Sequence, residues 1–122
     1  MKNEFVKYKQ ALSLKELGFN EPCFGYYIET GEWAPASYSQ KGTLYPSNSD
    51  LIGKWVSAPL YQQAFRWLRN QYATCWYIQS EYPAFYGLYI HNGIDYDHYV
   101  YDTYEEAEQA CLNKLIEIVK KQ

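Results

Sequence analysis

Two histidines and two aspartates fall within one short stretch of this chain: His91, Asp95, Asp97 and His98. Imidazole and carboxylate are the groups that ligate divalent metals and move protons. Their spacing works against a shared site. In extended backbone residues 97 and 98 point to opposite faces, so the four converge only in a distorted loop. A cross-strand pair of His91 with Asp95 beside a half-buried His98 is the plainer expectation. A metal-binding or hydrolytic site near His91 and Asp95 is kept as the alternative.

Other chemistry-bearing residues give less. Cys23, Cys75 and Cys111 are an odd number at no metal-like spacing, each among apolar neighbours. They read as small buried hydrophobes with inert thiols in a reducing compartment. Glu29 and Glu32 beside Trp33 have the residue types of a glycosidase carboxylate pair next to a sugar platform, but two carboxylates in a turn are ordinary surface chemistry. The chain has no Gly-x-Ser-x-Gly elbow, no glycine-rich phosphate loop and no Cys-His pair predictable from spacing. The expectation is a protein without cofactor and without catalysis.

What the sequence offers instead is tyrosine. Nine of its fifteen tyrosines lie between Tyr72 and Tyr104, in a stretch where aromatic and β-branched residues alternate with polar ones and are cut by Pro83 and Asn92-Gly93. That is strand-and-turn chemistry, and it predicts a three-stranded antiparallel meander over 74–101. A two-residue turn at Asn92-Gly93 sets Leu88 against Asp97. A three-residue turn over Asn92-Gly93-Ile94 aligns Ile90 with Tyr96 and Leu88 with His98, and is the better pairing. A slip of one residue flips every side chain, so this choice decides the faces. With the helices covering one side, Tyr27, Tyr77, Phe85, Tyr89, Tyr99 and Tyr101 lie on the outward face, and Tyr96 and Val100 turn inward. Tyrosine supplies rigid contact area and a hydroxyl at low entropy cost, which suits recognition. A covering flap or a second copy of the chain is the structural explanation for the same face.

Around the meander the elements read as follows. Residues 7–18 form a helix with Tyr8, Ala11, Leu12, Leu14 and Leu17 as its stripe; Gly18 ends it, and Phe19 folds back. Lys7 is a poor N-cap. Residues 23–29 form a strand, with Gly25 marking a bulge or a close approach. Residues 30–57, punctuated by glycine and proline yet rich in apolar side chains, read as an irregular packed flap with a short hairpin about Lys41-Gly42. A helix spans 58–72, capped by Ser57. The last helix, 103–120, opens on Thr103 and Glu106 at capping-box spacing and buries Ala107, Cys111, Leu115 and Ile118. The fold expected is α+β: one antiparallel sheet of four or five strands, with three helices mainly on one face.

At 122 residues and 14.4 kDa, the size prior is one domain. The net charge is −3 and the pI about 5.3, with no basic footprint for nucleic acid. An aromatic platform for single strands is interleaved with lysine and arginine, whereas this one carries Asp95 and Asp97. No apolar run reaches membrane-span or signal-peptide length, so a cytoplasmic setting is expected.

Three segments, Leu14–Phe24, Ala58–Trp67 and Tyr101–Ile118, together resemble a family of small uncharacterised proteins encoded by phages and prophages of anaerobic gut bacteria. The resemblance covers both ends and the middle helix. It implies a cytosolic accessory protein that binds a host or phage protein, or itself, and it implies no activity, cofactor or catalytic residue.

Overall fold

Helix α1 (Tyr8–Glu16) is the first regular element of the computed structural model, which describes residues 4–36, 45–51, 53–91 and 93–122. Its C-terminus is closed as the sequence predicts. Gly18 adopts φ +101°, its N–H donates to the Lys15 carbonyl, and the Phe19 N–H donates to Leu14. This double bond is the Schellman arrangement, and it returns Phe19 to the core, where it is 1% exposed. The weak Lys7 cap is offset from inside the helix. Gln10 reaches back to accept the Lys7 N–H at 2.9 Å and also accepts the Tyr61 hydroxyl at 3.0 Å.

The segment expected to be an irregular flap builds a sheet. Strand β1 (Gly25–Tyr27) lies between β2 (Trp33–Pro35) and β3 (Val56–Ala58), both antiparallel to it. Gly31, at φ +89°, closes the β1–β2 hairpin with its N–H on the Ile28 carbonyl, the left-handed position that such a loop requires. The close approach at Gly25 comes from the Trp33 indole, which occupies the space a Cβ would need. Trp33 also packs on Phe5, and Trp55 stacks on Tyr26. The apolar residues of 30–57 thus serve their own unit. The expected hairpin about Lys41-Gly42 lies outside the described residues. Ser57 is no helix cap: it sits in β3, and its N–H donates to Asn48. A 3-10 turn (Asn48–Asp50) places that buried asparagine, whose Nδ2 also donates to the Phe19 carbonyl at 2.7 Å.

Helix α2 (Tyr61–Tyr72) begins in the first of two compact units, residues 1–64, and continues into the second, residues 65–122. In the second unit Phe65 packs on Trp76 with ring centroids 4.4 Å apart. The meander is present as β4 (Trp76–Glu81), β5 (Phe85–His91) and β6 (Tyr96–Tyr101), in that order. Helix α3 (Tyr104–Lys120) packs across all three strands. Thr103 caps it, accepting the Glu106 N–H at 3.1 Å and donating to the Glu106 carboxylate. Its buried face includes Ile116 and Val119, while Ile118 is 37% exposed. The i, i+4 row from Ala107 runs through Cys111 and Leu115 to Val119, which leaves Ile118 off the stripe.

The architecture is α+β with three helices, but its strands form two separate three-stranded antiparallel sheets and not one sheet of four or five. The expectation failed because the segment around Tyr26 was joined to the meander on the strength of shared aromatic alternation. Its true partners are three residues long, too short to show a period of two. Among the described residues no helix is long and apolar enough to cross a membrane.

Candidate functional site

Register decides which side chains share a face of the meander. Strands β5 and β6 pair Leu88 with Tyr99, Tyr89 with His98 and His91 with Tyr96, one residue away from the expected alignment. The connection is therefore one residue longer, and every β6 side chain is reversed. Tyr99 and Tyr101 turn to the helix-covered side, where both are half-buried and the Lys114 ammonium sits 4.0 Å from the Tyr99 ring centroid. Val100, expected inward, is 53% exposed. The gain explains the choice: α3 receives aromatic surface beside Leu88 and Ile90, which are almost wholly buried.

The face left open by α3 carries Tyr77, Glu81, Phe85, Tyr89, His91, Tyr96 and His98. Three of its rings form a ladder across the three strands. Tyr77 stacks on Tyr89 at 4.6 Å and 12°, and Tyr89 stacks on His98 at 4.3 Å and 10°. These separations match the spacing between paired strands, so the rings stand side by side with their flat faces turned to one another. At one end Tyr96 crosses the sheet. Its hydroxyl lies 3.5 Å from the Cys75 thiol, and its ring meets Tyr77 and His91 edge-on. The Cys75 contact, followed by desolvation, raises the Tyr96 pKa.

Glu81 binds the ladder from the side. Its Oε1 accepts the Tyr89 hydroxyl and meets His98 Nε2, each at 3.1 Å. From β4 the carboxylate reaches β6 over Gly87, in space that any Cβ there would fill. Glycine in the middle strand is thus what lets one carboxylate serve two neighbours. Desolvation, then the Glu81 contact, raises the Tyr89 pKa.

Of the residues singled out from the sequence, Tyr77, Phe85 and Tyr89 are on this open face. Tyr27 is not: it is 7% exposed in the first unit, its hydroxyl donates to the Val6 carbonyl, and burial raises its pKa. In this segment the exposed residue is Phe24, which packs on Tyr45, and Tyr27 on the other side of the strand is the buried one. His91 and Asp95 brace the β5–β6 turn. His91 Nδ1 accepts the Gly93 N–H, and Asp95 accepts the Tyr96 N–H. Among the described residues no three His, Cys, Asp or Glu side chains are grouped as metal ligands. Glu81 was missed, Tyr96 was expected inward, and His98 was singled out as a possible metal or acid–base group and not as a member of this face. The Gly87 gap was the one sequence signal that pointed to Glu81.

Cys23 and Cys111 are buried, and desolvation pushes both thiols up, Cys23 to about 12. Neither is a nucleophile at neutral pH. Cys75 is exposed and, with Thr74, His91, Asp97 and Leu115, borders a cavity of about 380 Å³ at the end of the meander. Compared with protein-family models, curated proteins and solved structures, the chain has no match.

Proposed function

We propose that the chain is a small cytoplasmic interaction protein of the phage or prophage kind it resembles, and that it recognises a host or phage protein through the open face of the meander. The observation that carries this reading is the exposed Tyr77–Tyr89–His98 ladder. Its geometry also separates classes of partner. A base or a sugar stacks on a flat aromatic face, and here both faces of Tyr89 and the inner faces of Tyr77 and His98 are taken up within the ladder. The stacking leaves ring edges to a partner, a contact type that protein interfaces draw from tyrosine. At the alternative site near His91 and Asp95, His91 Nδ1 already accepts the Gly93 N–H and Asp95 the Tyr96 N–H.

The test is affinity capture from host-type bacterial lysate, after nuclease treatment, with the wild-type chain and with Tyr77→Ala/Tyr89→Ala side by side. A near-stoichiometric protein held by the wild type and lost by the folded double variant is the expected result. Equal capture by both chains would refute the face as the recognition surface.

A further inference from the structure

Among the described residues the meander has two unpaired edge strands, and they differ in chemistry. Strand β6 carries Asp97 near its middle and is flanked by Asp95 and Asp102, whereas β4 carries its one charge, Glu81, at its end, and residues 76–80 are Trp, Tyr, Ile, Gln and Ser, without a charge or a proline. Charges at an edge block pairing with another sheet, and an uncharged, aromatic and β-branched edge invites it. The His91 N–H donates to the Cys75 carbonyl, which fixes the alternation along β4. Cys75, Tyr77 and Gln79 direct their backbone groups to β5. Trp76, Ile78 and Ser80 direct theirs away from the sheet.

We propose that β4 pairs antiparallel with β4 of a second copy of this chain, about a two-fold axis at Tyr77. This inference rests on the edge and not on the recognition reading above. In that register the outward N–H and C=O groups of Trp76 meet those of Ile78 in the other copy. Tyr77 faces Tyr77 in a non-hydrogen-bonded pair, the closest cross-strand position. The aromatic ladder, which ends at Tyr77 in one copy, then continues through the axis into the ladder of the other. Charge selects this partner. The β4 edge meets its own image without opposing like charges, while two β6 edges would bring Asp97 and its flanking carboxylates together. Closed two-fold symmetry also ends the assembly at two copies, with a six-stranded sheet.

The test uses the purified full chain in sedimentation equilibrium, with amide exchange as a second readout. The wild type is expected to form a dimer of twice 14.4 kDa, with concentration-dependent protection of the Trp76 and Ile78 amides. Tyr77→Lys and Tyr77→Glu should each weaken self-association roughly tenfold, since like charges then lie directly opposite. Mixing the two variants should restore a dimer. That rescue distinguishes a lost interface from a lost fold. A wild type that stays monomeric at high concentration, a dimer indifferent to both substitutions, a mixture that stays monomeric, or growth beyond two copies would each overturn the proposal.

Discussion

Residues 1–64 and residues 65–122 reach order by different means. The first unit has strands of three residues and relies on polar side chains sunk among apolar ones. Asn48 joins the Phe19 carbonyl to the Ser57 N–H, Gln10 joins the start of α1 to Tyr61, and Tyr27 reaches the Val6 carbonyl. The second unit is regular: one long helix on a meander with continuous registers. Its order comes from periodic burial of Leu88, Ile90, Ala107, Cys111, Leu112 and Leu115. Short strands contribute few ladder bonds, so side chains must satisfy the remaining backbone groups. Long strands need no such help, which leaves one sheet face free for other use.

This contrast is open to direct challenge. The largest effect should come from Asn48→Leu, which removes the side-chain partner of the Phe19 carbonyl and of the Ser57 N–H and is expected to cost roughly 4 kcal/mol in urea unfolding. A loss under about 1 kcal/mol would mean that the first unit does not depend on its polar bridges. Leu88→Ala, by contrast, opens a void beneath α3 and should cost roughly 3 kcal/mol, with no polar group left unpaired.

Alkaline pH should weaken both units. The Cys23 and Cys111 thiols are raised by burial from an ordinary value of 9.0. A raised folded-state value means that this stability is fully present below about pH 9 and is lost as pH climbs toward 12. Urea midpoints should stay flat to about pH 9 and then fall, by about 1 kcal/mol per thiol one unit higher. A midpoint that rises with alkali would reverse the sign and remove the argument. Thr103→Ala should cost about 1 kcal/mol through the lost cap of α3, visible as faster amide exchange in its first turn.

The smallest effect on stability, and the most local, belongs to Gly87→Ala. A methyl group there displaces Glu81, so the Tyr89 pKa should fall back toward its ordinary value in an ultraviolet titration while the fold persists. An unchanged Tyr89 titration would mean that Glu81 does not depend on the gap.

The same contrast explains what the sequence disclosed. Helix α3 was legible because Thr103, Glu106 and the Ala107–Cys111–Leu115 row are local signals. The end of α1 was legible for the same reason, in Gly18 and Phe19. Strands β2 and β3 were illegible, since Trp33–Pro35 and Val56–Ala58 are too short to alternate, and β3 is held by Asn48 from elsewhere in the chain. Tyr77 and Tyr89 were found as surface residues because β4 and β5 were read in phase. Tyr99 and Tyr101 were exchanged for Tyr96 and His98 by one residue of turn length, a quantity that pairwise hydrophobic matching does not determine when both faces are aromatic.

The Tyr77–Tyr89 stack has an optical consequence. Two identical phenols 4.6 Å apart and within 12° of parallel absorb as a coupled pair of chromophores, with lower intensity than two isolated ones. Any event that parts the rings should therefore raise tyrosine absorbance. The molecule carries its own label-free gauge of whether the ladder is intact.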